Sequence, residues 1–489
     1  MKKTILFITI VAFLFALACS SPVHKIQVVV VFDVEDYITP ASEGIDDIPK
    51  WLAEIMSEEG VTGTFFMIGE KARSLEKRGR RDVIEAMAKH DIGSHTNFGS
   101  IHPTVAERLE KAGWDEGVRE MMENESAGFK DLERIFQRPI SILAKHGGSY
   151  GPQLVGALGK MKAGFVYSPV HLPKKNAVWF CNALNFHGEI AGFDNLYYRD
   201  DLFEPFFDSL KVQFPKLIEG LDVVTVFACH PCKIRTEQFW DYSFYYGVNP
   251  DSGQWRIPDL RPLESMETAK KNFRRLMRFL KDRDDIEVTT YRHVMDLYSK
   301  QRKDITAEDL SRIAQRTADE NAIGLDDYFS AAEAFAGFIE SLIQYQSKGS
   351  LPKRLTKISP LGPIEMPPAE PEISKIAFEQ VCELAQEANR YIEDHGKLPS
   401  SLKINGWCIG TGSLFDLFSR AYQDLHSGRK AAEYSVRAFD AYPKTNEEAI
   451  IEEVEGNKGW IVHRPDLDMS HIVELTRCQL WTLKPATID

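Results

Sequence analysis

The sequence predicts an α/β barrel followed by a mainly helical region, and three observations predict it. Apolar strand-like runs alternate with helical patterns from Lys25 to about Ser299. Those runs are near-continuously apolar, as parallel strands covered on both faces must be. There are also enough of them to favour a closed barrel over an open sheet. The strand patterns lie at 26–33, 61–68, 91–95, 140–145, 163–168, 178–185, 222–229 and 286–290, and helical patterns at 48–59, 82–89, 116–136, 152–162 and 264–282 fill most of the gaps. In such a barrel the carboxyl ends of the strands converge on one face, where catalytic side chains are hung.

Ahead of the barrel, Lys2 and Lys3 precede an apolar stretch from Ile5 to Leu17 that is too short to span a bilayer comfortably, and Ala16-Leu17-Ala18-Cys19 follows with small residues. Residues 1–19 therefore read as a signal peptide. They resemble a bacterial lipoprotein signal, which implies an exported protein of the cell envelope held at the lipid bilayer through an acylated Cys19. Leu17 is unusual for its place in that pattern, so ordinary secretion stays open. The chain has 489 residues, room for about three domains on the length prior, and 43% hydrophobic and 11% aromatic residues are enough for large cores. Its net charge is −13, which makes nucleic acid and acidic lipid headgroups poor partners. Six cysteines lie beyond Cys19, and their pairing is unreadable from sequence. Cys229-His230-Pro231-Cys232 has redox-motif spacing, but no thioredoxin-like pattern surrounds it.

The first strand, Val-Val-Val-Val-Phe-Asp-Val-Glu-Asp, ends in three carboxylates: Asp33, Glu35 and Asp36. Two later stretches deliver imidazoles in the same way. One is Gly93-Ser94-His95-Thr96 with His102-Pro103, and the other is Phe227-Ala228-Cys229-His230-Pro231.

Taken with the Gly-Thr-Phe-Phe strand, Gly147-Gly148-Ser149-Tyr150-Gly151-Pro152 and the closing Thr290-Tyr291-Arg292, these motifs resemble, in their order and spacing, the polysaccharide deacetylases of the NodB-homology group, which are carbohydrate esterase 4-like. The resemblance covers residues 26–299. It implies a deformed (β/α) barrel of the NodB type holding one divalent metal, most often Zn2+, on a carboxylate and two histidines, with a neighbouring aspartate as general base. The chemistry suits those residue types. A three-ligand site with an open position drops the pKa of bound water from about 15.7 to about 7 and polarises a carbonyl. An ionised aspartate takes the water's proton, and a late histidine protonates the departing amine. On this basis Asp33 is expected as base, Glu35 and His95 as metal ligands, and His230 as general acid. Asp36 remains an alternative to Glu35.

Three departures from the family pattern bear on the site. His95 and His102 are seven residues apart, about 10.5 Å of rise in an unbroken helix. His102 therefore completes the ligand set only if 97–100 loops out, as Gly99 permits. Where the family usually places an arginine, near Ala144, the nearest cation is Lys145, which supplies charge without the planar fork. Beside it, His146 is either a further ligand, a substrate contact or a loop residue, and the backbone around Tyr150 is the oxyanion donor the resemblance implies. The acid that tunes the late histidine has no clear counterpart, with Asp194, Asp200 and Asp201 all candidates. The aromatic cluster Phe239-Trp240-Asp241-Tyr242 with Tyr245 and Tyr246 is either a sugar-stacking platform or the packing of a long loop.

Past the barrel, residues 304–346 read as a two-helix extension, 347–371 as a Pro-rich linker, and 372–489 as a mainly helical accessory domain. Gly396-Lys397-Leu398-Pro399 faintly resembles cell-wall-binding repeats but stands there as a single copy. The expected function is a metal-dependent hydrolase that removes acetyl groups from an N- or O-acetylated envelope polysaccharide. Hydrolysis of a non-peptide C–N bond in a small amide is the alternative within enzymes. A non-catalytic glycan-binding lipoprotein is the alternative outside them.

Overall fold

The computed structural model of the protein describes residues 25–488 apart from 191, 242–248 and 460–461; the leader with Cys19, and Tyr242, Tyr245 and Tyr246, lie outside them. Nine strands build the barrel: β1 (Ile26–Val34), β2 (Thr64–Met67), β3 (Asp91–Ser94), β4 (Ile142–Ala144), β5 (Gly164–Val166), β6 (Ala177–Phe180), β7 (Ala183–Phe186), β8 (Val223–Cys229) and β9 (Ile286–Thr289). They run in the order β6-β7-β5-β4-β3-β2-β1-β8, with β9 inserted beside the lower half of β1. Every pair except β6–β7 is parallel. A bridge at Ile190, between Thr225 and Phe227 of β8, joins the two ends. The result is the deformed (β/α) barrel the sequence predicts.

One predicted strand divides. Residues 178–185 form an antiparallel hairpin, because Cys181 and Asn182, with φ of 50° and 60°, make a two-residue turn of the type that matches strand twist. Among the helices with no counterpart in the predicted pattern, the two longest are Gly69–Lys77 and Asp200–Leu217. The second carries Pro205 and Pro215, which read as breakers in a sequence and here sit inside the helix.

Alternation along β1 positions the chemistry. Val30, Phe32 and Val34 belong to the large core under the helices, whereas Val29 and Val31 join Phe66, Ile142, Val166 and Phe227 inside the barrel. A period of two then puts Asp33 and Glu35 on the interior face, one above the other. Gly93 makes room there, since a Cβ at that position would lie 2.5 Å from the Phe66 ring.

Residues 304–435 repeat one plan twice. In each unit a short strand leads into two helices, and a second strand returns antiparallel to the first. These are β10 (Asp304–Thr306) with β11 (Arg354–Thr356), and β12 (Lys375–Ala377) with β15 (Glu433–Ser435). The second unit adds a hairpin, β13 (Ser401–Ile404) and β14 (Trp407–Gly410), between its helices. Helices Ala331–Lys348, Phe378–His395 and Thr411–His426 pack around Phe335, Phe338, Phe415 and Phe418. The Gly-Lys-Leu-Pro segment has a relative after all. Gly349 and Gly396 both close a helix in the left-handed conformation, with their N–H groups on Tyr345 O and Ile392 O, and both lead into Leu-Pro.

Two boundary expectations need correction. The stretch 347–371 is fixed in place: it contains β11, and Gly362 lies so close to Cys478 O that no Cβ fits. The chain from Glu447 onward leaves the helical region and returns to the barrel. Helix Ser470–Gln479 packs into the barrel's outer core, and β16 (Lys484–Pro485) adds antiparallel to β6.

Candidate active site

Strand ends bring Asp33, Glu35, His95, Lys145, His146 and His230 to one cavity of about 440 Å3. Glu35 sits at the centre. Its Oε1 is 3.0 Å from His95 Nε2, 3.2 Å from His146 Nδ1 and 3.7 Å from His230 Nε2. Asp33 Oδ2 lies 3.6 Å from His95 Nε2 and 3.9 Å from His230 Nε2. Burial works to raise the Glu35 carboxyl, but His230 and His146 hold it well below the ordinary range, so it is ionised. At Asp33 burial wins and the carboxyl is raised.

Each imidazole has one nitrogen committed elsewhere. His95 Nδ1 is 3.2 Å from the carbonyl of Ala144, a pure acceptor, so that nitrogen carries the hydrogen. His146 Nε2 is 2.8 Å from Ser100 Oγ, and the single Ser100 hydroxyl proton goes to Asp241 Oδ2 at 2.5 Å. Ser100 therefore accepts from His146 Nε2–H. In the neutral rings, the nitrogens left over are His95 Nε2 and His146 Nδ1, both bearing lone pairs toward an ionised carboxylate. His146 Nδ1 is buried and has no hydrogen-bond partner among the described residues. Acceptors facing acceptors at this range need a proton or a metal ion between them: burial works to lower the His95 pKa but Asp33 and Glu35 raise it, and Glu35, His95 and His146 place one ligand atom each within 4.8 Å of one another, close enough to hold an ion. Two histidines and a carboxylate are a suitable set for catalytic zinc, and their outer nitrogens are held by a carbonyl and a hydroxyl in the manner of metal ligands.

His230 is held separately. Asp194 accepts from its backbone N–H at 2.8 Å and lies 2.6 Å from its Nδ1. Burial works to lower its pKa, but Asp194 and Glu35 raise it to about 10, which favours the protonated, acid form. Of the three acids considered for this part, Asp194 is the one in place; Asp200 binds Lys271 and Asp201 binds Arg199.

His102 lies outside the cluster. Its Nδ1 meets Glu107 at 2.8 Å and its Nε2 meets the carbonyl of Asn249 at 3.0 Å, so both nitrogens serve acceptors and neither is free for an ion. The Glu107 carboxylate raises its pKa accordingly. The loop at 97–100 does bulge, yet what it delivers to the site is Ser100. Asp36 is also turned away, accepting from the N–H groups of Ile38 and Thr39. Tyr150 is fully buried beside Phe165 and Thr476 and does not line the cavity. Lys145 does line it, donating to Asn457 Oδ1 at 2.9 Å, and burial lowers its ammonium pKa to about 8. Phe239 stands edge-on to His230, while Trp240 packs against Tyr37 and Trp255. Cys229 and Cys232 are free and buried, and burial keeps both thiols protonated.

One wall was not legible in the sequence. Glu453 and Val462, from the segment that returns after the helical region, line the cavity. That segment is fastened to the barrel at several points: His463 Nδ1 lies 2.9 Å from Thr104 Oγ1, Arg464 N donates to Glu107 at 2.6 Å, and Asp468 N donates to Glu110 at 2.8 Å.

No family model matches the chain. A tRNA N6-adenosine threonylcarbamoyltransferase of Clostridioides difficile (strain 630) is 34% identical over 89 residues, which is 18% of this chain and 23% of that protein, so the chain spans less than a quarter of the length of the curated relative it matches. Among solved structures, Puue allantoinase is similar over 56% of this chain and 91% of its own, at 10% identity and a TM-score of 0.36. A T48 deacetylase with substrate is similar over 56% of this chain and 92% of its own, at 13% identity and a TM-score of 0.30. The Bacillus anthracis protein BA3943, described as a CE4 family pseudoenzyme, is similar over 56% of this chain and 66% of its own, at 12% identity and a TM-score of 0.30. TM-scores this low leave the chemistry to the side chains of this chain.

Proposed function

We propose that the chain is a metal-dependent hydrolase that removes acetyl groups from an acetylated glycan of the cell envelope. The observation that carries the reading is the pair of lone-pair-bearing nitrogens, His95 Nε2 and His146 Nδ1, directed with Glu35 at one point beside Asp33 and His230. Glu35, His95 and His146 would hold the ion. When bound, a divalent ion such as Zn2+ supplies Lewis acidity toward water and the scissile carbonyl. The rest belongs to the chain. Asp33, at the rim of the cluster, accepts the proton of the attacking water, and His230, protonated and aimed by Asp194, donates to the leaving nitrogen or oxygen. Lys145 supplies positive charge on the cavity wall.

Hydrolysis of a C–N bond in a small amide is a second reading of the same constellation. The wall that Glu453 and Val462 add to the cavity favours it. Anchoring at a bilayer through acylated Cys19 is part of the proposal and rests on the sequence of the leader. The test is metal content by plasma mass spectrometry, followed by acetate release, on the protein and on His146→Ala and His102→Ala. About one metal per chain, lost with His146 and kept without His102, is the expected result. Absence of metal from all three after zinc is supplied would sink the hydrolase and leave a binding protein. Release of ammonia or amine from small amides, with acetylated glycans inert, would select the second reading.

A further inference from the structure

Ser100 and Asp241 come from two loops far apart in sequence and meet beside His146. Both are buried, at 0% and 2% exposure. Their hydrogen bonds run one way: His146 Nε2–H donates to Ser100 Oγ, and Ser100 O–H donates to Asp241 Oδ2. Direction matters because a neutral imidazole has one donor and one acceptor nitrogen. With the hydrogen fixed on Nε2, the lone pair must be on Nδ1, the nitrogen 3.2 Å from Glu35. Had Ser100 pointed its proton at His146, the ring would carry its hydrogen on Nδ1 and close the ligand position.

We infer that Ser100 and Asp241 are positioning residues that set the tautomer of His146 and thereby create the third ligand position of the metal site. The inference rests on the reading of Glu35, His95 and His146 as ligands. A hydroxyl alone does not fix the direction, since its proton rotates to suit its neighbours; the carboxylate of Asp241, which only accepts, takes that proton and forces Ser100 to accept from the ring. Among the described residues Asp241 Oδ1 has no hydrogen-bond partner, and Ser100 is the hydroxyl this buried carboxylate serves. Outer partners of this kind typically change metal affinity by about 10- to 100-fold when removed.

The test is zinc affinity, measured by competition with a chromophoric chelator, on the purified protein and on Ser100→Ala, Asp241→Asn and Ser100→Thr, with far-UV circular dichroism of the zinc-free chains as the check on folding. Cobalt(II) spectra of the same proteins report the ligand set directly. Ser100→Ala and Asp241→Asn are expected to weaken zinc binding by about 10- to 100-fold and to alter the cobalt(II) bands. Ser100→Thr, which keeps the hydroxyl, is expected to restore both. Equal affinity in all four proteins would overturn the inference. So would equal weakening by Ser100→Thr and Ser100→Ala, because then packing and not the hydroxyl sets affinity. A parent protein that binds no zinc fails earlier, at the reading of the ligands.

Discussion

In the helical region Glu333 is 4% exposed and meets two ammonium groups, Lys484 Nζ at 2.8 Å and Lys357 Nζ at 2.8 Å. At the end of β1, Glu35 is 5% exposed, and its partners among the described residues are the rings of His95, His146 and His230. Asp416 in the helical region repeats the first pattern with Arg420 and Arg437, and within the barrel Asp46 does so with Lys71 and Arg78. A buried carboxylate answered by a permanent cation is finished as a structural element. One ringed by three imidazoles, whose charge is conditional, holds a place for something else; Glu107, which meets the single ring of His102 and two backbone N–H groups, does not. The contrast separates sites from braces without reference to any relative.

Four outcomes would break or sharpen that contrast, the largest first. Glu35→Gln is expected to abolish stoichiometric metal binding while leaving thermal stability of the metal-free chain equal or higher, as a differential scanning measurement in chelator would show. Metal kept at wild-type level would put Glu35 among the braces. Asp33→Asn is expected to keep the metal and lower kcat by about 10^2- to 10^4-fold, the usual share of a general base; an unchanged kcat would move the base elsewhere. Glu333→Ala is expected to do the reverse of Glu35→Gln. It strands Lys357 and Lys484 and costs about 3–5 kcal/mol in urea unfolding, with metal content untouched.

Glu125 is the fourth and smallest case, a buried carboxyl that no cation among the described residues meets in an ion pair. It accepts from Asn97 N at 3.1 Å, and burial raises its pKa to about 7. The folded chain therefore holds this proton more tightly than the unfolded chain, whose ordinary value is 4.5. Stability is full below pH 4.5 and falls as pH rises to about 7. Glu125→Gln, which cannot ionise, is expected to gain roughly 3 kcal/mol over the parent at pH 8 and nothing at pH 4. A gain of the same size at both pH values would mean that packing, not charge, is responsible.

Much of this was legible in the sequence because it is local. A β-period run ending in Asp-x-Glu places both acids on the interior of a barrel, and His95 and His230 end strands whose apolar character is plain. What escaped depends on tertiary contact. His102 and His146 are both loop histidines in the sequence, and only the fold shows one clasped by Glu107 and Asn249 while the other is aligned by Ser100. Asp194 was one of three acids until β7 and β8 were joined at Ile190. The internal duplication of 304–435 was hidden because a hairpin separates the helices of one unit and an irregular loop those of the other.

The route of the chain gives the cavity a birth order. Every residue of the cluster, from Asp33 to Asp241, has left the ribosome before the two helical units are made, and Glu453 and Val462 follow only after them. Segments fold largely in the order of synthesis. The proposed ion-binding cluster thus precedes the pocket it serves, and the pocket is complete only when β16 has docked on β6 and drawn the last turn of chain across the barrel mouth. A single proteolytic cut between β15 and helix Glu447–Gly456 would touch none of the proposed ligands, and would free one end of the segment that walls the cavity while its burial in the barrel core still holds it.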